Sequence, residues 1–570
     1  MWAPVLRAGR TRALRQARFG IRTNASSPYQ GPPKTYFQPP PQPPPNGSQS
    51  RIWRLFKGTL ILTTGFFIGG VVVLTHLQLE EHELAEEMGA AMGMMGAGDF
   101  QGVVDTAARV AEIQQVPAMD FSYAQEVLTR IRSVAVSNTT ISHVAQVPSN
   151  SPCEDTFSMA TLNPSDSVRT GQAWNAFGLF DGHAGPKTSF ILANRFLPEL
   201  DHMLAADNCY SRPYTPNDQH IVKSIKKAFV RFDEALCEQG RDCIQSELMG
   251  RSHVVSVAAF AFAGSCALVS IFDEAQQVFR VACTGDSRAV LGRWDSRKKR
   301  YVATALTVDQ TGFNQSEVER LAREHPGETT IDPKTGRIFG LAITRAFGDT
   351  RWKWAEEITV RAHELFWGPA PRPNNVIKTP PYLTAEPEVT ETRIQSGAHP
   401  DFVIMASDGL WDLMSNDNAV ACVEKWLEKF SPVDMLEEQQ ALGSNPIAAP
   451  APMIQTPWST DDLAGDDDTY WDPEEKALKW RVSPKHFVVE DISCATHLIK
   501  NAFGGKRRNL FTSVMTVQHP LSRKVRDDTT VNVTFFGQDM KAKIDELERS
   551  MNEKNLDHKN MVGRTPLPRK

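Results

Sequence analysis

The stretch FGLFDGHAG, running from Phe177 to Gly185, decides the fold. Its first four residues are apolar or small and suit a buried strand, and Asp-Gly directly after them is a turn signal. A carboxylate on such a turn, at the end of a central strand, points into a site rather than into bulk water. The same grammar recurs along the chain. VFRVACTG leads into Asp286 of TGDSRAVLGR (284–293), and FVIMAS leads into Asp408 of SDGLWDLMS (407–415). Two more acidic motifs, Cys153-Glu154-Asp155 and Arg526-Asp527-Asp528-Thr529-Thr530, also stand where strands meet turns.

Any one of these aspartates reads equally well as a turn former. Several together imply carboxylates that would repel one another unless cations were bound between them. Hard oxygen ligands select Mg²⁺ or Mn²⁺ over zinc, which favours His and Cys. Two such ions lower the pKa of a shared water and neutralise a phosphoryl oxygen. Hydrolysis without a covalent intermediate then becomes the expected chemistry.

Around these motifs the chain alternates strands, helices and turns from about Asp120 to Phe536. His220 to Glu238 reads as a helix with Ile221, Ile225, Phe229, Phe232 and Leu236 on its apolar face. Cys266 to Phe272 and Gln277 to Cys283 are β-rich runs joined by DEAQ, which predicts a hairpin. Phe402 to Ala406 and Val531 to Phe536 read as buried strands. A Pro-, Ala-, Ser- and Asp-rich stretch over 436–471 lacks periodicity and is expected to be a surface insertion. The tail, 539–570, is charged and helix-prone, and no internal repeat is visible.

A chain of 570 residues exceeds one ordinary domain. Its 41% of hydrophobic residues suffices for a real core. A net charge of −5 gives no support to nucleic-acid binding through a broad basic face. The eight cysteines show no paired zinc-type spacing, and a chain this large needs no disulfide framework, so they read as small buried apolar residues.

The first 79 residues contain no Asp or Glu. Met1 to Ala25, with Arg7, Arg10, Arg12, Arg15, Arg18 and Arg22, matches a mitochondrial presequence. Residues 26–57 form a proline-rich linker. Gly58 to Leu79 is uncharged and long enough for one transmembrane helix, followed by a juxtamembrane segment over 80–119. Basic residues before the apolar run and glutamates after it predict an inner-membrane anchor with the catalytic domain, 120–538, in the intermembrane space. A matrix location is the alternative.

The order FGLFDGHAG, TGDSRAVLGR, GLAITRAFGD (340–349), SDGLWDLMS and RDDTTVNV resembles the metal-dependent protein phosphatase family, also called protein phosphatase 2C. A lone DGH or GDS would be weak, whereas five motifs in family order are specific. The spelling SNSPCED (149–155) is similar to the mitochondrial pyruvate dehydrogenase phosphatase branch and its fungal relatives. The resemblance implies an α+β fold, an α/β/β/α sandwich of two antiparallel sheets flanked by helices, with two Mg²⁺ or Mn²⁺ ions in the cleft. It implies a Ser/Thr phosphatase acting on a phosphoprotein, with the pyruvate dehydrogenase complex as a candidate partner.

Carried over by motif, Asp181 is expected at both metals, with the Gly182 carbonyl as another ligand. Asp408 and Asp527 complete one of them, Glu154 approaches the other, and Asp155 supports the shell. Asp286 joins Asp408 at a weaker third site. His183 is expected to protonate the leaving oxygen; a histidine that only hydrogen-bonds metal waters is the alternative. Asn150 stands where many relatives carry a phosphate-clamping Arg, so it is a candidate substrate contact without charge. Arg345 is a second candidate for phosphate, with a structural ion pair as its other reading, and Asp349 reads as a brace of the same loop. Trp411 and Cys266 read as packing residues. A membrane-tethered scaffold that keeps the fold but has weak catalysis is the competing function, and the intact acids and His183 favour the enzyme.

Overall fold

The computed structural model describes residues 121–163, 174–373, 378–436, 469–472 and 477–537. All of them belong to one compact unit, Pro117–Lys570. The presequence, linker, transmembrane and juxtamembrane expectations lie outside the described residues, as does the tail. Among the described residues no helix is long and apolar enough to cross a membrane.

The strands run, in chain order, as β1 (Arg132–Val136), β2 (Thr140–Val147), β3 (Thr156–Leu162), β4 (Trp174–Phe180), β5 (Gly182–His183) and β6 (Gly264–Ser265). They continue as β7 (Ala267–Asp273), β8 (Val278–Thr284), β9 (Arg288–Asp295), β10 (Arg300–Ala305) and β11 (Phe347–Gly348). The last are β12 (Glu388–Arg393), β13 (Phe402–Ala406), β14 (Thr469–Asp472), β15 (Ala477–Trp480) and β16 (Thr529–Phe536). One antiparallel sheet has the order β1-β2-β16-β13-β9-β10 and the other β12-β8-β7-β4-β3.

Side-chain alternation explains how the two sheets stack. In β13, Phe402, Ile404 and Ala406 pack on one side, while Val403 and Met405 face the other sheet. Successive residues of a strand point to opposite faces, so a strand buried on both sides must be apolar throughout. FVIMA satisfies this, and all five residues are fully buried. Between the sheets, Val403 and Met405 meet Phe177, Leu179, Leu268 and Val281. The outer face of the six-stranded sheet is covered by helices Asn416–Leu427, Cys494–Ala502 and Arg508–Thr516. Helices Lys187–Ala206 and Gln219–Gln245 cover the other through Leu192, Phe196, Ile225 and Phe229. Each such side chain contributes about 1.5–3 kcal/mol of burial, which sets the four-layer order. The edge strand β12 presents Glu388 and Arg393, charges that discourage pairing with another chain.

The hairpin expected around DEAQ is present as β7–β8, and the helix expected at 220–238 extends over Gln219–Gln245. The 436–471 stretch differs from expectation at its end. Residues 437–468 lie outside the described residues, but Thr469–Asp472 is a strand that pairs with Ala477–Trp480. Its regularity escaped a reading based on the Pro- and Asp-rich residues before it.

Candidate active site

The antiparallel order brings the C-terminal ends of β4, β8 and β13 to the same rim as the starts of β3 and β16. Asp181, Asp286 and Asp408 leave the first three, and Glu154-Asp155 and Asp527-Asp528 precede the other two. Carboxylate oxygens of Asp181, Asp286 and Asp408 all lie within 4.8 Å of one another. Burial, and then mutual repulsion, pushes the pKa of Asp181 and Asp408 well above the ordinary carboxylate range. Asp286 is shifted upward chiefly by burial.

Asp155 is 2% exposed. Its Oδ2 accepts from Ser407 Oγ and Thr530 Oγ1, each at 2.8 Å. Its Oδ1 is buried without a hydrogen-bond partner, and burial followed by repulsion from Asp528 pushes its pKa up to about 7. An orphaned, dehydrated carboxylate oxygen beside three clustered aspartates fits a hydrated divalent cation, because carboxylate is the ligand such ions prefer.

The small sheet β11-β6-β5 threads the DGH, AGSC and FGD segments together. It sets His183 opposite Gly264, and Asp349 follows β11. His183 Nε2 is 2.6 Å from Asp349 Oδ2. Burial alone would lower the histidine's pKa, but Asp349 outweighs it and the net shift is upward. A Cβ on Gly264 would overlap both His183 Nε2 and Asp349 Oδ2, so the pair needs glycine there. Asp349 itself holds φ at 52°, a left-handed conformation that Asp tolerates better than most residues.

The Asp286 loop is braced by Gln310, whose Oε1 accepts from Gly285 N at 2.7 Å and whose Nε2 donates to Cys283 O at 3.1 Å. Cys266 is buried and its Sγ donates to Asp286 Oδ1 at 3.3 Å, so it both packs and fixes that carboxylate. Trp411 packs in the core beneath Asp408, with its Nε1 on Ala406 O at 3.0 Å.

Glu154 is held by the loop around it. Its Oε1 accepts from Gly185 N at 2.6 Å and its Oε2 from Asn150 Nδ2 at 2.8 Å. Asn150 Nδ2 also donates to Asp528 Oδ2 at 3.1 Å. Both amide hydrogens of Asn150 are therefore committed to the loop, and the expectation that they meet substrate needs correction. Arg345 forms the structural ion pair that was its other reading. Its Nη2 lies 2.5 Å from Glu317 Oε1, its Nη1 donates to Glu386 O at 2.7 Å, and it is only 6% exposed. Glu317 is fully buried; burial would raise its pKa, but Arg345 and Arg320 hold it down to about 2. A guanidinium so engaged is a structural cation.

Asp528 was visible in the RDD motif but without a role. Its carboxylate accepts from Ser149 N at 2.5 Å, Asn150 N at 2.9 Å and Glu154 N at 2.7 Å, which anchors the loop carrying Glu154. Only the adjacency of a second acid to Asp527 pointed to it.

The protein phosphatase 2C family model matches residues 148–441, which span all the carboxylates above except Asp527 and Asp528. A protein phosphatase 2C homolog of Schizosaccharomyces pombe is 34% identical, over 69% of this chain and 79% of its own. The mitochondrial pyruvate dehydrogenase phosphatase 1 of Saccharomyces cerevisiae is 32% identical, over 69% of this chain and 68% of its own. Human mitochondrial pyruvate dehydrogenase phosphatase 2 is 26% identical, over 69% and 77%. With a family match over more than half its length, and the carboxylates gathered on one rim of a two-sheet sandwich, this chain belongs to the protein phosphatase 2C family of Ser/Thr phosphatases.

Proposed function

We propose that this chain is a mitochondrial, metal-dependent phosphatase that removes phosphate from serine and threonine of a protein substrate, with the pyruvate dehydrogenase complex as that substrate. The observation that carries the metal dependence is the trio Asp181, Asp286 and Asp408, clustered within 4.8 Å beside the orphaned Asp155 Oδ1. Asp181, Asp408 and Asp527 would hold one Mg²⁺ or Mn²⁺, and Asp181 with Glu154 a second, the Gly182 carbonyl being a further ligand; Asp286 and Asp408 would share a weaker site. When bound, the ions acidify a water and neutralise charge on the phosphoryl oxygens.

The chain's own residues supply the rest. The O–P bond to serine or threonine breaks as water oxygen bonds phosphorus, and the departing alkoxide needs a proton. Asp349 accepts from Nε2 of His183 and favours the imidazolium, whose other ring proton, on Nδ1, is the one that can be delivered. Asp155 acts one step removed, orienting the site through Ser407 and Thr530.

The compartment and substrate are supported by the names of the relatives from budding yeast and human, and by the basic, acid-free Met1 to Ala25. The uncharged run Gly58 to Leu79 supports a single-pass anchor. Turnover of a phosphothreonine peptide should require Mn²⁺, stop with chelator, return on re-addition, and disappear in Asp181→Asn. A folded protein that binds Mn²⁺ yet turns over no phosphopeptide would replace this reading with the scaffold.

A further inference from the structure

A phosphomonoester is a dianion, yet the rim that would receive it is walled by carboxylates. The two donors expected to meet it, Asn150 and Arg345, are engaged elsewhere. Two other guanidiniums near the rim are also committed. Arg288 binds Asp309 and Asn416 and lies over the Trp411 ring, and Arg526 donates to the carbonyls of Pro148, Val514 and Val517.

Arg523 differs from these. It belongs to the short 3-10 turn Leu521–Lys524, and the hydroxyl of its neighbour Ser522 bonds the carbonyl of Ser149. That bond docks the turn against the segment that carries Asn150 and Glu154. The Arg523 side chain is 42% exposed, and its ion pair with Asp527 uses Nη1. A guanidinium has five N–H donors, so an ion pair through one nitrogen leaves an edge for a second anion.

We propose that Arg523 binds the phosphoryl group of the substrate, supplying from the 521–524 turn the cation that position 150 lacks. This inference rests on the phosphatase reading above. A guanidinium suits the task because two parallel N–H groups match two phosphate oxygens. Its ion pair with Asp527 places the cation at the carboxylate rim, and its charge helps to hold down the Glu154 pKa that burial raises. Any cation that engages Asp527 competes with Arg523 for that carboxylate and frees the guanidinium for the phosphate.

The test compares full-length wild type, Arg523→Gln and Arg523→Lys, with inorganic phosphate as probe. Calorimetry on the Mn²⁺-loaded proteins reads phosphate affinity, and a parallel titration reads Mn²⁺ affinity. Loss of a charge-assisted contact predicts phosphate binding weakened about 10-fold or more in Arg523→Gln, with partial retention in Arg523→Lys and Mn²⁺ affinity not reduced. In kinetics the KM for a phosphothreonine peptide should rise by a similar factor, with kcat changed less. Unchanged phosphate affinity in Arg523→Gln would overturn the assignment. So would a loss that only follows weaker Mn²⁺ binding, because Arg523 would then act through Asp527. Phosphate calorimetry needs no turnover, so a wild type that binds phosphate through Arg523 but hydrolyses nothing refutes the phosphatase reading alone.

Discussion

Replacing Asp528 by Asn keeps the shape of the side chain and removes its charge. In the folded chain Asp528 is 3% exposed and takes hydrogen bonds from three backbone N–H groups and the Asn150 amide. Burial raises its pKa, but these donors outweigh burial and leave the carboxyl below its ordinary value. Asparagine can still accept from Ser149 N and Asn150 N through one oxygen. Its new amide nitrogen then faces two donors, Glu154 N at 2.7 Å and Asn150 Nδ2 at 3.1 Å. Each charge-assisted bond contributes about 1.5–3 kcal/mol, and a flip of Asn150 would break its bond to Glu154, so two bonds are lost and the net cost should be about 3–6 kcal/mol. One effect opposes this. Asp155 is relieved of a neighbouring charge, but its shift comes first from burial, so the relief is the smaller contribution. Urea unfolding in chelator should therefore show a lower midpoint at an unchanged slope. A variant as stable as wild type, or more so, would mean that repulsion among the carboxylates outweighs the loop's hydrogen bonds, and would refute the anchoring role.

Three further outcomes follow from the geometry. Gly264→Ala places a methyl where His183 and Asp349 meet, so kcat on a phosphothreonine peptide should fall about 100-fold with Mn²⁺ affinity retained; wild-type kcat would contradict the acid role. Arg345→Ala leaves the buried Glu317 with Arg320 as its remaining cation, so the loss in urea unfolding should be less than the about 3–5 kcal/mol of a buried pair broken outright, with little change in KM, whereas a raised KM at unchanged stability would reinstate its phosphate role. Burial holds His143 and His497 down to a pKa of about 4, against about 6.5 unfolded, so the unfolded chain takes up their protons first. Their contribution, up to about 3 kcal/mol each, is full above pH 6.5 and is lost as pH falls towards 4. Histidine-selective NMR of the folded protein should find both rings neutral at pH 5.5, and a protonated ring there would contradict the assignment.

Much of the framework was legible because it is local. FVIMA announces a strand buried on both faces, and an acid directly after an apolar run announces a carboxylate at a strand end. Those two patterns place Asp181, Asp286 and Asp408 on one rim once the sheets are antiparallel. The partners of the site were less legible, because they lie far away along the chain. His183 meets Asp349 across 166 positions, and Asp528 reaches Ser149 across 379. The motif left Arg345 open to two readings, and the helix Gln315–Glu324 decides between them by delivering Glu317 to it in the interior. The 521–524 turn carries no acidic motif or apolar period, so nothing local marked Arg523 before its docking on Ser149 was visible.

The central claim is that the clustered carboxylates exist to hold divalent cations. Anomalous diffraction from crystals of the protein soaked in Mn²⁺ tests it most directly. Peaks are predicted within coordination distance of Asp181, with Asp408 and Asp527 on one side and Glu154 on the other, and they should vanish in Asp181→Asn. A wild-type map without manganese density among these residues, from crystals that carry the ion in solution, would contradict the metal-centred account.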